Sequence, residues 1–133
     1  MKKYTPSVAA ALDLPADAEL LSIVRLRFAD GQPLALMRNW LPPAYHGITL
    51  KDLEASGLYA VLRSRGTRPV VAAQSIGARP PTASERRHLR LRPAEPVLTM
   101  TRTAFDSAGR AVEHGDHCYR AQDYTIEVLV DQR

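Results

Sequence analysis

The chain has 133 residues, 45% of them hydrophobic and 24% charged, with 18 basic against 14 acidic side chains for a net charge of +4, the balance of one globular domain with a real core. This excludes a membrane helix, because no apolar run nears the roughly 20 residues a span needs, and it excludes an internal disulfide or multi-cysteine metal cluster, because Cys118 stands alone. A mild basic excess is no argument for nucleic-acid binding, and a start without a signal-type apolar core points to the cytoplasm.

Residues 5–14 read as a short helix with Thr5 as cap and Pro6 at its first position. A strand over 19–28 follows, then turn chemistry at Ala29, Asp30, Gly31 and Gln32, and a returning strand over 33–40 that Pro42 and Pro43 stop. Arg25 and Arg27 are two apart, so both guanidinium groups leave one side of the first strand while Val24, Leu26 and Phe28 fill the other. Helical spacing of leucines then predicts a single turn over 49–54 and a longer helix over 56–64, broken at Ser56-Gly57 and stopped by Gly66. The free amides opening that second helix, from Ser56 to Leu58, suit an anion.

A strand over 69–78 precedes Thr82-Ala-Ser-Glu85, a capping-box signature for a helix through Leu89. The arginines at 86, 87, 90 and 92 have no aromatic residue among them and read as a solvated face rather than a nucleic-acid platform. Further strands are expected over 96–105, 111–119 and 124–130. The hairpins make this an α+β protein with an antiparallel sheet. Leu12, Leu14, Arg25 and Phe28 recur as Leu89, Leu91, Arg102 and Phe105 at one constant offset. That internal repeat of helix, leucine pair and hairpin implies a pseudo-symmetric sheet with a ligand site between the hairpins.

Glu113-His-Gly-Asp-His117 offers four candidate metal ligands in five residues, but strand alternation sets Glu113, Gly115, His117 and Tyr119 on one face and His114 and Asp116 on the other. No metal is expected there. Cys118 should point away from Glu113 and Tyr119 as a structural residue. No nucleophile elbow, P-loop or dinucleotide fingerprint is present, so no catalytic residue and no cofactor are assigned. One glutamate with two arginines is what recognition of a small polar anion requires.

The order RLRFADGQPLALMRNWLP, then DLEASGLYAVL, then RTAFDSAGRAVEHGDHCYRAQDYTIEV resembles the UTRA domain, the effector-sensing half of GntR-type transcriptional regulators of the HutC branch. The likeness runs from about Ala9 onward. It implies an antiparallel sheet with flanking helices related to chorismate lyase, and a domain that binds a small anionic metabolite, an organic acid or a phosphorylated compound. It places Arg25 and Arg27 at the anion-holding positions and Glu113 and Tyr119 at the polar-group positions, with His117 in line between them. Met37 stands where many members have Glu, and Gly57, before Leu58, where many have Ser, which points to a less hydroxylated ligand than an amino-sugar phosphate. Residues 1–133 are then a single domain with a linker-like start over 1–8, and the winged helix-turn-helix of such regulators, through which alone DNA would be bound, is absent from this chain. A homodimer is expected, with the imperfectly alternating TIEVLV segment covered by a neighbour or used in the contact. The alternative on the same fold is a small lyase.

Overall fold

A computed structural model describes residues 2–131 of the chain. Its frame is one antiparallel sheet in the order β1-β2-β3-β6-β5-β4. The strands are β1 (Lys2–Tyr4), β2 (Glu19–Ala29), β3 (Gln32–Leu41), β4 (Val71–Arg79), β5 (Val97–Phe105) and β6 (Ala111–Arg120). The helices are α1 (Pro6–Ala11), α2 (Leu50–Ser56), α3 (Leu58–Ser64) and α4 (Ala83–Leu89). The β2–β3 turn has Asp30 at φ 51° and Gly31 at φ 76°, the left-handed pair that matches a two-residue hairpin to strand twist. A mid-sheet seam pairs β3 with β6, so the two repeated hairpins meet back to back.

Each face has its own core. On one side Leu21, Ile23 and Leu41 of the sheet pack with Leu53, Leu58 and Leu62 of α2 and α3. On the other, Leu36, Val97 and Cys118 pack against Leu89 of α4, and Leu20 and Trp40 pack with Val8 and Leu12 of α1. Thus α1 and α4, the repeated helices, share one face, as the duplication requires.

The expected capping box of Thr82 with Glu85 forms, and a second joins Thr49 with Asp52. Glu85 does more than cap. Its carboxylate, 1% exposed, accepts Arg79 Nη1 at 2.7 Å and Nη2 at 2.8 Å and so ties α4 to the end of β4 by a bidentate pair. At the other end of α4, Arg120 Nη1 donates to the Leu89 carbonyl at 2.7 Å.

Four sequence expectations change. The first helix covers Pro6–Ala11 rather than 5–14, and Thr5 makes no side-chain cap; Asp13 at φ 56° turns the chain out of it. Residues 2–4, within the expected linker-like start, pair with Glu19, Leu20 and Leu21 as β1. Of the three residues expected to fill the second face of β2, only Leu26 packs; Val24 and Phe28 are 56% and 51% exposed, because α4 lies over β3 and not over this edge. Residues 124–130 are not a strand, since β6 already has β3 and β5 on its two sides and offers them no edge. The arginine-rich segment is solvated as expected, with Arg87, Arg90 and Arg92 exposed.

Candidate functional site

Residues that face each other across an antiparallel pair share a side of the sheet, so the register builds the site row by row. Arg25 lies opposite Met37, Met37 opposite His117, and His117 opposite Met100. One step along, Ile23, Asn39, Gly115 and Arg102 form the next row; one step the other way, Arg27, Ala35, Tyr119 and Leu98 form a third. All three rows lie on the face that α2 and α3 half cover.

The polar side chains of these rows join into one network. Asn39 Oδ1 accepts from Arg25 Nη2 at 2.8 Å while its Nδ2 donates to Glu113 Oε2 at 2.9 Å. Only this amide orientation satisfies both neighbours. Glu113, fully buried, also accepts from the Tyr59 hydroxyl at 3.1 Å and lies 4.0 Å from Arg102 Nη2. The Arg102 guanidinium sits 5.1 Å above the Tyr59 ring, a cation–π placement. One carboxylate therefore balances two guanidinium groups, a net positive site in a low-dielectric setting.

Gly115 makes this convergence possible. A Cβ there would lie 3.1 Å from Glu113 Oε2 and 3.2 Å from both Asn39 Nδ2 and His117 Nε2, so the missing side chain lets three polar groups close over the strand.

Burial sets the protonation states. Desolvation, then the charges of Arg102 and Arg25, push the His117 imidazole down to about 4, so at neutral pH it is an uncharged ring that can donate or accept. Its Nδ1 is 3.3 Å from the Tyr119 hydroxyl. Burial, then Glu113, push Tyr59 up to about 12, fixing it as a hydroxyl donor. Burial lowers Arg25 from its ordinary value, with Glu113 acting the other way. Three buried side-chain atoms among the described residues are without a partner, and two of them, His117 Nε2 and Arg25 Nε, lie in this network, the third being Trp40 Nε1 on the opposite face. Buried donors and acceptors in this state are costly and unusual.

Of the residues expected from sequence, Arg25, Met37, Glu113, His117 and Tyr119 come together. Arg27 shares their face but is exposed at the Tyr119 end. Gly57 and Leu58 do not join them: the Gly57 amide donates to Leu53 O at 2.8 Å as the cap of α2, and the Leu58 side chain is core. The Gly57 amide is thus already engaged, and what α3 delivers to the network is the Tyr59 hydroxyl. Asn39, Tyr59, Arg102 and Tyr124 were missed as site residues. Arg102 had a signal, as the repeat partner of Arg25, and Asn39 had one in its two-residue spacing from Met37. Tyr124, stacked on Tyr119 at 4.1 Å and 18°, had none.

Cys118 points to the opposite face as expected, 1% exposed, its thiol pushed up to about 12 by burial and by Glu85. His114 is also on that side, bonded to Thr103 at 2.8 Å and beside Trp40. Among the described residues no group of three metal-ligating side chains converges. A hollow of about 400 Å³ near Tyr45, Arg68 and Arg110 is separate from the network, and its Asp106 is already taken by Arg110.

The family model of the UTRA domain matches residues 2–125. The HTH-type transcriptional regulator GgaR of Escherichia coli is 28% identical over 119 residues, which cover 87% of this chain and 46% of that protein. The chain spans about half the length of the curated relatives it matches. A Streptomyces coelicolor protein assigned as a transcriptional regulator superposes with a TM-score of 0.90 at 42% identity, over 98% of this chain and 89% of that one. The ligand-binding domain of a Bordetella bronchiseptica protein assigned to the GntR family of regulators superposes with a TM-score of 0.91 at 25% identity, over 98% and 86%.

Proposed function

The chain belongs to the UTRA domain family, and on that premise we propose that it is the effector-binding domain of a GntR-type, HutC-branch regulator whose DNA-reading module is a separate part of the parent protein. The relatives named above are regulators, and the lyase alternative has no support from them. Among the described residues no helix is long and apolar enough to cross a membrane. As part of the regulator reading, we place the parent in the cytoplasm as a homodimer.

The observation that carries the reading is the pair of unsatisfied buried atoms, His117 Nε2 and Arg25 Nε, on a face where two guanidinium groups outnumber one carboxylate. A small anion bearing hydroxyl groups supplies what is missing: acceptor oxygens for Arg25 and Arg102, and a partner for the neutral imidazole. Arg27 stands at the rim as an outer cation, Met37 and Met100 make the apolar floor, and Glu113, Asn39, Tyr59 and Tyr119 orient the polar end. The ligand class is an organic acid or phosphorylated compound.

Calorimetric titration with inorganic phosphate, a hexose 6-phosphate, methylphosphonate and citrate tests this. At least one probe is expected to bind, and Arg25→Ala and Arg102→Ala should each weaken it at least tenfold, about 1.4 kcal/mol. Binding that survives both changes unaltered overturns the assignment of the site.

A further inference from the structure

At the offset that makes Arg102 the counterpart of Arg25, Ala104 is the counterpart of Arg27. The two halves of the sheet therefore agree on the first guanidinium and differ on the second. Where the first hairpin has an exposed cation at the rim, the second has a methyl group, and Ala104 is 1% exposed. Register carries the difference across the sheet: Ala104 lies opposite Glu113, and Ala72 opposite Ala104. Both alanines thus share the face of the polar network, one step along from the row of Gly115 and Arg102.

Two small side chains in succession leave a space. A hollow of about 210 Å³ opens over them, bounded by Tyr59 and Arg102 of the network and by Pro69 and Val70, which lead into β4. The Val70 amide donates to the Phe105 carbonyl at 2.9 Å, so this wall is tied to β5, yet Val70 itself is 56% exposed. The space is larger than the roughly 150 Å³ in which an apolar cavity holds a benzene ring.

The lining favours hydrocarbon. Among the described residues its one charge is that of Arg102 and its one side-chain hydroxyl that of Tyr59, and this hydroxyl already donates to Glu113 at 3.1 Å. A sugar hydroxyl placed here gains no free side-chain partner, whereas an apolar group gains by leaving water against Val70 and the alanine methyls. Arg102 belongs to both compartments: its Nη2 is 4.0 Å from Glu113, and its side chain remains 30% exposed. An anion held by Arg102 therefore delivers its substituent to the hollow.

We propose that the effector is an amphiphilic anion, a carboxylate or phosphonate seated among Arg25, Arg102 and His117 and joined, directly or by a short link, to an apolar group of about six carbons that fills the hollow between Tyr59 and Val70. This rests on the anion site proposed above and narrows its ligand class.

Calorimetric titration with methylphosphonate, phenylphosphonate, benzylphosphonate, 2-phenylethylphosphonate and a hexose 6-phosphate separates the two. At least one aryl compound should bind tenfold or more tighter than methylphosphonate, in keeping with about threefold per buried methylene, and tighter than the sugar phosphate. Ala72→Phe fills the hollow from an exposed strand position, and Val70→Asn makes its wall polar at similar size. Each should bring the aryl compound to within about twofold of methylphosphonate while methylphosphonate itself binds as before, which also shows that the variant is folded. Leu50→Ser, on the exposed side of α2, should leave the aryl preference whole. Methylphosphonate binding with no aryl preference, a tighter sugar phosphate, or a preference that persists in both hollow variants overturns the apolar arm and leaves the anion site standing. Aryl binding untouched by Arg25→Ala and Arg102→Ala, or no binding by any of these probes and those named above, overturns both.

Discussion

Alanine in place of Gly115 is a direct probe of how tightly the polar network is drawn. The new methyl would stand 3.1 to 3.2 Å from three polar atoms, against 3.4 Å for ordinary van der Waals contact. A shortfall of two to three tenths of an ångström is absorbed cheaply by one free side-chain tip, but these tips are not free. Glu113 and Asn39 are bonded to each other and, in turn, to Tyr59 and Arg25, so relief at one contact stretches another. The backbone itself is no obstacle, since Gly115 is not among the positive-φ residues. Overpacking of this kind costs about 1–3 kcal/mol, or a fall in Tm of roughly 4 °C per kcal/mol for a domain of this size. Thermal unfolding followed by circular dichroism measures it. The decisive comparison is a double-mutant cycle: in an Asn39→Ala background the same glycine change should cost at least about 0.5 kcal/mol less, because one of the crowded atoms is gone. Strict additivity would refute the claim that Gly115 is there to let these groups converge.

Three further outcomes are expected. His117 has its folded pKa at about 4, below the ordinary 6.5, so the unfolded chain takes up the proton first; stability is complete above about pH 6.5 and declines as pH falls to about 4, by on the order of 3 kcal/mol. In pH-resolved unfolding, His117→Asn should lack that decline, and an unchanged profile would count against a buried neutral imidazole. Glu85 is held at about 2, below 4.5, chiefly by Arg79; its contribution is present above about pH 4.5 and disappears toward about pH 2, so Glu85→Gln should flatten that acid limb while leaving the His117 limb intact. Cys118→Ala should cost on the order of 1 kcal/mol and leave probe affinity within a few-fold, and the native thiol should resist Ellman's reagent until the protein unfolds; protection that appears only on adding a bound probe would place the thiol in the site.

Most of the frame was legible because it is local. Turn pairs such as Asp30-Gly31, the Thr82–Glu85 capping box and the two-residue alternation from Glu113 to Tyr119 each act over a few residues, and the repeat of Arg25 as Arg102 connected the halves. Three things were not legible because they depend on distant partners. Lys2–Tyr4 has no strand signature and becomes β1 only because Glu19, Leu20 and Leu21 offer an edge. TIEVLV has the signature, but β6, the strand it follows, is already paired on both sides and offers it no edge. Tyr59 lies among the leucines that signal α3 and carries no local mark of its own, and only the packing of α3 across the sheet brings its hydroxyl, 54 residues away in sequence, to Glu113.

The division of the sheet into two faces also divides its chromophores. The one tryptophan of the chain, Trp40, packs among Val8, Leu12 and Leu20 beneath α1, 6.0 Å from the His114 ring, whereas Tyr59, Tyr119 and Tyr124 gather on the side of the polar network. Light absorbed at the red edge, where only indole responds, will report the integrity of the α1 face and stay nearly silent when a small molecule settles over His117. Tyrosine difference spectra carry the opposite information, so a single cuvette distinguishes occupancy from unfolding without any label.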